Sequence, residues 1–381
     1  MLKRILLGLI TLVVASTALA YLTGNGFLIT ALQRTYLQGH NTANINDHTA
    51  FDVNLIAAAT PAPLPKSPAY NLEPLPEEFR ANLDKFKTAA FLVIKNGEIL
   101  AEHYMNGYDD RSKTNSFSMA KTVTTMLVGI AIEEGYIDSL EQPLTDYLPE
   151  FKDDPLAQTA TVGQLSLMNS GYEWTEHYYS PFSPTVELLY GPDVSDFLLQ
   201  GSFSAEPGSF WEYSSASTQL LGIVLKRALE AGGRDITISE YLSEKIWQPM
   251  GMNDDALWHT DDKGLEFVYC CLNTNARNYA KLGLLMLANG KWNGQQLVPA
   301  AFVQRMITPV GQPYYGLSTW LGLEHNPSHY HFSGHLGQYI INIPEYDMVV
   351  VRLGETRDKS IDFRTEELPI YVKHAMDLAG H

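Results

Sequence analysis

Ser118 and Lys121 place a hydroxyl and an amine three residues apart, in the run Ser118-Met119-Ala120-Lys121. If Ser118 begins the helix that follows, both side chains lie on one face, about one turn apart. The helix N-terminus then adds backbone N–H groups and partial positive charge beside the hydroxyl. A serine hydroxyl needs an adjacent base, and a lysine serves when burial lowers its pKa toward neutrality. The pair indicates acyl transfer; the alternative is a helix-capping serine beside a solvated lysine.

Two later segments carry residues suited to the same reaction. Tyr213 follows a Pro-Gly turn signal and precedes a helical run, where a tyrosine can pass protons between serine, lysine and leaving group. Packing is the alternative, since the chain has 21 tyrosines. Gly334 lets the backbone approach a substrate closely, and the N–H groups of His335 and Ser118 can form an oxyanion hole. The imidazole of His335 as a catalyst is a further alternative.

Several other function classes have no support in the sequence. There is no Gly-x-Ser-x-Gly elbow, no His-Glu-x-x-His helix and no Gly-x-x-x-x-Gly-Lys-Ser/Thr loop. The 11 histidines show no metal-ligand spacing, so neither a metal nor an organic cofactor is expected. The net charge of −17 argues against nucleic acid as a partner.

The positioning elements are predicted from periodicity and turn signals. Residues 89–94 and 99–104 read as strands joined by the hairpin signal Asn96-Gly97. A second hairpin is predicted from two apolar, β-branched runs near the C-terminus, and four helices from runs ending at glycine or near the chain end. The hairpin strands are residues 338–343 and 348–353, and the helices are residues 119–134, 218–231, 276–288 and 365–378. This order predicts an α+β fold, an antiparallel sheet from both chain ends with an inserted helical subdomain.

The chain divides into three predicted segments. Residues 1–32 are expected to be a signal peptide or membrane anchor, because Lys3 and Arg4 precede a long uncharged stretch. The protein is then exported, either periplasmic or anchored in the inner membrane and facing the periplasm. Residues 33–82 are expected to be a linker and N-terminal extension, and residues 83–381 the catalytic domain.

The two cysteines, Cys270 and Cys271, are adjacent in the sequence. Disulfide geometry favours Cα atoms further apart than one peptide unit, so we expect two buried thiols and no bridge.

Together the motifs resemble those of the penicillin-recognising serine hydrolases, which include class C β-lactamases, D-alanyl-D-alanine peptidases, related esterases and 6-aminohexanoate-dimer hydrolases. The likeness runs from about Lys85 to the C-terminus. It implies a β-lactamase/transpeptidase-like fold in which Ser118 is acylated and Lys121 and Tyr213 share the proton transfers. Ser333 and its neighbouring glycine then match the family's Lys-Thr-Gly strand.

Two departures from the family pattern bear on the substrate. Ser215 stands where the β-lactamases usually have asparagine, and Phe332 stands where they have the lysine that binds a substrate carboxylate. Both favour the esterase and amide-hydrolase branch. In the 6-aminohexanoate-dimer hydrolases a loop tyrosine contacts substrate, and its counterpart here is Tyr178 or Tyr179.

The sequence therefore predicts a serine hydrolase that cleaves a small ester or amide through an acyl-Ser118 intermediate. The pocket residues are expected to be Ser215, Ser333, Gly334 and Tyr178 or Tyr179. One alternative is a D,D-carboxypeptidase or class C-like β-lactamase. The other is a catalytically silent periplasmic binding protein with the same fold.

Overall fold

Helices and antiparallel sheets are mixed along the chain in the structure, a computed structural model that describes residues 1–381. The α-helices are α1 Leu2–Leu22, α2 Phe27–Arg34, α3 Glu77–Lys85, α4 Met119–Glu133, α5 Val162–Ser166, α6 Pro184–Tyr190, α7 Val194–Leu199, α8 Ser215–Ala231, α9 Ile238–Leu242, α10 Ala276–Leu287, α11 Ala300–Met306 and α12 Leu368–Leu378. The strands are β1 Val53–Ile56, β2 Thr88–Lys95, β3 Glu98–Tyr104, β4 Thr114–Asn115, β5 Ala256–His259, β6 Leu272–Thr274, β7 Lys291–Trp292, β8 Gln295–Gln296, β9 Trp320–Gly322, β10 His329–Gly334, β11 Gln338–Ile343 and β12 Met348–Gly354.

The main sheet joins β2 and β3 with the later strands β9 to β12 in the order β3-β2-β12-β11-β10-β9, and every neighbouring pair is antiparallel. Helices α3 and α12 cover one face, and α10 packs against β11 and β12. Gly283 lets α10 lie close to the sheet, because a side chain there would press on Ile340 and Val349. The middle of the chain, with α5 to α9, is inserted between the two strand groups. The predicted α+β architecture is confirmed.

Both predicted hairpins are present. Asn96 and Gly97 have φ angles of 51° and 78°, the two positive values that a tight type I′ turn requires. Strands β11 and β12 are joined by a short 3-10 turn that ends at Asp347, with φ of 45°. The four predicted helices correspond to α4, α8, α10 and α12, each within a few residues of its expected bounds.

A second sheet has the order β1-β5-β6-β4. Strand β4 pairs with β6, and the backbone N–H of Ser116 donates to the carbonyl of Leu272 at 2.8 Å. The segment just before Ser118 is therefore tied to this sheet.

The N-terminal extension differs from the linker expected for residues 33–82. Strand β1 pairs with β5, and Ile45 and Ile56 are fully buried. The buried Lys281 side chain donates to the carbonyl of Ala62 at 2.8 Å. The proline- and alanine-rich stretch is extended, as its composition predicts, but it lies against the catalytic region instead of spanning a gap.

The expectation of two free thiols is wrong. Cys270 and Cys271 are joined in a disulfide with Cα atoms 3.7 Å apart. Cys271 has φ of 69°, a left-handed conformation that few non-glycine residues adopt. This unusual backbone brings two adjacent sulfur atoms within bonding distance, which an extended chain does not do. The expectation that both residues are buried is confirmed.

Helix α1 is 21 residues long, contains an 18-residue stretch with a mean hydropathy of 2.3, and has no buried residue. It is long and apolar enough to cross a membrane, and a signal sequence has the same properties.

We expect Ile56→Ala to reduce the free energy of unfolding by about 2–5 kcal/mol, because it deletes a fully buried side chain. Urea unfolding monitored by circular dichroism measures this change. The matched control is Leu55→Ala on the same strand, whose side chain is 53% exposed, and it should change stability by less than about 0.5 kcal/mol. Equal stability of the two variants would contradict a structural role for the N-terminal extension.

Candidate active site

Ser118 stands at the start of α4, immediately after a strained residue. Phe117 has φ of 43°, and its N–H donates to the side-chain oxygen of Asn115 at 2.8 Å. Non-glycine residues reach this region only when the surroundings enforce it. The hydroxyl of Ser118 makes no capping bond to its helix, so the alternative of a purely capping serine does not describe it.

Lys121 is buried one turn along the same helix face, as the three-residue spacing predicts. Its Nζ donates to Ser118 Oγ at 3.1 Å, to Ser215 Oγ at 3.1 Å and to the carbonyl of Tyr269 at 2.9 Å. Burial lowers the pKa of Lys121 to about 8, although the charge of Glu176 opposes the shift. About a tenth of the amine is therefore neutral at pH 7, and this neutral form is the one that accepts a proton.

Glu176 is connected to Lys121 through Ser215. The Ser215 hydroxyl donates to Glu176 Oε1 at 2.7 Å, and its backbone N–H donates to Oε2 at 2.8 Å. Trp174 and Tyr178 donate to the same carboxylate at 2.7 Å and 2.6 Å. Four donors fix this carboxylate beside the first turn of α8, where the positive end of the helix favours it.

Tyr213 also lies near the Lys121 amine, with its ring centre 5.1 Å from Nζ. Its ring stacks on Trp320, with the two ring centres 5.6 Å apart. Burial raises the pKa of Tyr213, and Glu176 raises it further. The phenol is therefore protonated near neutral pH and can donate a proton, whereas Lys121 is the better acceptor.

Two residues that line the pocket have backbone N–H groups without an acceptor. Neither the N–H of Ser118 nor that of His335 donates a hydrogen bond within the protein. Gly334 lets β10 lie close to the segment before Ser118, because a side chain at this position would collide with the carbonyl oxygen of Ser116. Burial, with nearby Lys359 and Arg357, lowers the pKa of His335 to about 4. Its imidazole is therefore neutral and cannot anchor an anion.

A mostly apolar pocket with a cavity volume of about 70 Å³ opens beside Ser118. Its lining includes Ser215, His335 and Tyr178, whose ring centre is 4.9 Å from that of His335. Tyr179 does not line this pocket; it is 62% exposed and its hydroxyl accepts from Lys359 at 2.9 Å. Of the two tyrosines left open by the sequence, the structure thus brings only Tyr178 into the pocket. Ser333 and Gly334 are not in its lining either; they stand on β10 just before His335.

An apolar side chain occupies the position at which the β-lactamases have their carboxylate-binding lysine. Phe332 is fully buried on β10, and the adjacent His331 is buried without a hydrogen-bond partner. Burial, His329 and Arg364 hold the pKa of His331 well below its usual range. Neither Phe332 nor His331 therefore supplies a positive charge at this position.

Three residues near the site have no clear signal in the sequence. Glu176 is one of two acids in the loop before the Tyr178-Tyr179 pair. Only its position in the folded structure distinguishes it from Glu173. Tyr269 contributes a backbone carbonyl, which any residue type offers. Asp47 also lines the pocket, from the segment read as a linker.

Known proteins resemble this chain in sequence and in overall fold. The β-lactamase family model matches residues 77–367. A 6-aminohexanoate-dimer hydrolase of Paenarthrobacter ureafaciens is 28% identical over 257 residues, and this alignment spans 64% of this chain and 64% of that protein. A Bacillus anthracis structure assigned as a 6-aminohexanoate-dimer hydrolase superposes with a TM-score of 0.75 at 25% identity, covering 87% of this chain and 91% of that one. A family VIII carboxylesterase shares the fold, with a TM-score of 0.63 at 18% identity over 79% of this chain and 95% of that one.

We expect Gly334→Ala to lower stability by about 1–3 kcal/mol, because the added methyl must displace the backbone that carries Ser116. The midpoint of thermal unfolding measures the change. Ser333→Ala is the control on the same strand, where removal of a half-buried hydroxyl should have a smaller effect. A Gly334→Ala protein as stable as the Ser333→Ala protein would refute the close approach.

Proposed function

The chain belongs to the β-lactamase family of serine hydrolases, and on this basis we propose that it cleaves a small ester or linear amide through a covalent acyl-Ser118 intermediate. One observation carries the proposal. The buried Lys121 amine, with its pKa lowered to about 8, lies 3.1 Å from the Ser118 hydroxyl. This is the arrangement that an activated nucleophile requires.

In the proposed reaction Lys121 accepts the proton of Ser118 as the oxygen attacks the substrate carbonyl. Tyr213, which is protonated and lies near the Lys121 amine, donates its proton to the departing alcohol or amine. The lysine then restores the tyrosine proton. A water molecule attacks the acyl-enzyme in the same manner and releases the acid, and no metal or organic cofactor enters these steps.

The N–H groups of Ser118 and His335 are proposed to hold the oxyanion of each tetrahedral intermediate. Their support is that both donors are free within the protein and flank the same pocket. Such donors act where negative charge develops, so they stabilise the transition state more than the bound substrate.

The substrate class is inferred from the pocket and from the relatives. A relative named as a 6-aminohexanoate-dimer hydrolase favours a linear amide, and the apolar walls favour an acyl group without charge near the carbonyl. Phe332 offers no cation for the carboxylate that β-lactams and peptidoglycan peptides carry. A D,D-carboxypeptidase or β-lactamase activity therefore has less support from the site.

We also propose that the enzyme acts outside the cytoplasm. Helix α1 carries Lys3 and Arg4 at its start, which favours retention of that end inside and export of the rest.

Ser118→Ala should reduce hydrolysis of p-nitrophenyl butyrate at least about 10³-fold, because the nucleophile is removed. Steady-state kinetics on the full chain in detergent measures this, and a fluorophosphonate probe should label wild type only. Ser209→Ala, an exposed serine, is the control and should keep full activity. Equal rates of wild type and Ser118→Ala, with no labelling of either, would favour a silent binding protein.

The kcat/KM of the wild type should rise with pH and level off above about 8, because only neutral Lys121 accepts the proton. Glu176→Gln removes a negative charge that favours the ammonium form, so the pKa of Lys121 falls and the rising limb should move to lower pH.

A pH–rate profile for each variant tests this direction. Glu173→Gln, an exposed acid in the same loop, is the matched control and should leave the profile in place. A shift of the Glu176→Gln profile to higher pH would contradict the role assigned to Lys121.

A further inference from the structure

Helix α1 is joined to the rest of the protein by a short, hydrogen-bonded turn. Only Thr23 to Gly26 separate it from α2, and the backbone N–H of Asn25 donates to the carbonyl of Ala20 at 2.8 Å. The turn is closely packed, because a side chain at Gly26 would collide with the Tyr21 ring. The five peptide steps between the two helices span at most about 18 Å even when extended. If α1 crosses a bilayer, α2 therefore lies at the surface of that bilayer.

Helix α2 connects this turn to the pocket. Its Phe27 side chain is buried, and the helix packs against α6. Val186 and Leu189 of α6 line the pocket, as does Thr42, which follows α2 in the chain. Helix α2 and the segment after it lie outside residues 77–367, which the family model matches. The connection between the membrane-length helix and the pocket wall is therefore a feature that the family match does not account for.

Large apolar side chains are exposed next to both segments of this wall. Leu32, Tyr36 and Leu37 are exposed at the end of α2 and just after it, and the exposed fraction of Leu37 is 70%. Phe182, which is 73% exposed, lies in the loop before α6. Exposed groups of large apolar side chains mark surfaces that bind a membrane or another protein. We call these four residues the apolar rim.

The pocket is too small to enclose a substrate with a long chain. Its volume of about 70 Å³ compares with about 300–1,000 Å³ for typical ligand sites. The remainder of a larger substrate therefore lies outside the pocket. Leu37 is five residues before the lining residue Thr42, and Phe182 is three residues before Thr185, so both lie within about 18 Å of the pocket wall. An apolar rim at this place favours an apolar chain.

The rim and its surroundings carry almost no charge, although the protein has a net charge of −17. Between Arg4 and Asp47 the only acidic or basic residue is Arg34, whose guanidinium lies over the Phe51 ring at 4.4 Å from the ring centre. Residues 178–186 contain no acidic or basic residue. Such a surface can enter the interfacial region of a bilayer without the cost of desolvating ions. This composition, together with the continuity with α1, favours lipid as the occupant of the rim.

We propose that the apolar rim rests in the interfacial region of the bilayer that α1 crosses, and that the enzyme takes an amphiphilic ester from that bilayer. The pocket then holds the scissile carbonyl, while the apolar chain of the substrate stays in lipid along Leu37 and Phe182. Tyr36 suits this depth, because tyrosine rings are enriched at membrane–water interfaces. The choice of an ester rests on the proposed function, whereas contact between the rim and lipid does not require turnover.

Nitroxide labels on the rim test this contact in the full chain, reconstituted into phosphatidylcholine nanodiscs at a large excess of lipid. Leu37→Cys and Phe182→Cys carry the labels, because the two native cysteines form a buried disulfide and leave no free thiol. The rim nitroxides should collide more often with lipid-soluble oxygen than with a water-soluble nickel chelate. Electron paramagnetic resonance measures both collision rates.

The matched control is Leu72→Cys, because Leu72 is also 70% exposed but lies beside β3, at the edge of the main sheet away from β10. Its nitroxide should collide more often with the nickel chelate. The same preference for the chelate at the rim positions would overturn the proposal. Rim labels shielded from both reagents would also overturn it, because they would place a second copy of the chain on the rim. Mass spectrometry of protein recovered from membranes should find α1 present, and its removal on export would overturn the proposal too.

Kinetics in the same nanodiscs test the substrate class. The ratio of kcat/KM for p-nitrophenyl octanoate to that for p-nitrophenyl acetate should fall at least about fivefold in Phe182→Ser, because a hydroxyl replaces an apolar contact with the octanoyl chain. Leu72→Ser is the control and should keep the wild-type ratio. An unchanged ratio in Phe182→Ser would overturn the substrate class. Failure of the wild type to hydrolyse either ester would count against the proposed function alone, because the nitroxide labels report the membrane contact independently.

Discussion

The site depends on keeping one amine buried without depriving it of hydrogen bonds. An ammonium group removed from water loses several kcal/mol of solvation unless acceptors replace it. Lys121 has three, which come from Ser118, Ser215 and the carbonyl of Tyr269. They are widely separated in the sequence, so they converge only when the whole catalytic region is folded. The remaining desolvation lowers the pKa of Lys121, so the burial that costs solvation energy also favours the proposed role of this amine as a proton acceptor.

The surrounding helices and strands hold these three acceptors in position around the Lys121 amine. Strand β4 ends just before the strained Phe117, which fixes the start of α4, while Ser215 opens α8 across the pocket. The tyrosine carbonyl is presented by the segment that leads into β6, the strand paired with β4. On the third side, β10 approaches through Gly334 at a distance that no side chain permits. Helix starts and strand ends thus meet at one point, where their backbone groups are free to face a substrate.

Local patterns in the sequence predicted the elements well, and contacts between distant segments poorly. The Asn96-Gly97 turn and the helices were predictable because backbone conformation follows from neighbouring residues. The role of Glu176 was not predictable, because this residue lies in a loop without periodicity and its partner Ser215 is distant in the sequence. Asp47 was missed for a related reason: the isolated apolar residues around it, such as Ile45, bury only when the catalytic region offers them a surface. The buried face of such a segment cannot be read from composition alone.

The bond between Cys270 and Cys271 has a consequence for how the pocket is completed. Both residues line the pocket, directly after the tyrosine whose carbonyl binds Lys121. Their union removes two electrons and two protons, which an external oxidant must accept. Thiols generally stay reduced in the cytosol and are oxidised in extracellular and other oxidising compartments. Maturation of the pocket wall is therefore a redox event, and the compartment in which the chain resides determines whether that wall contains a disulfide or two thiols.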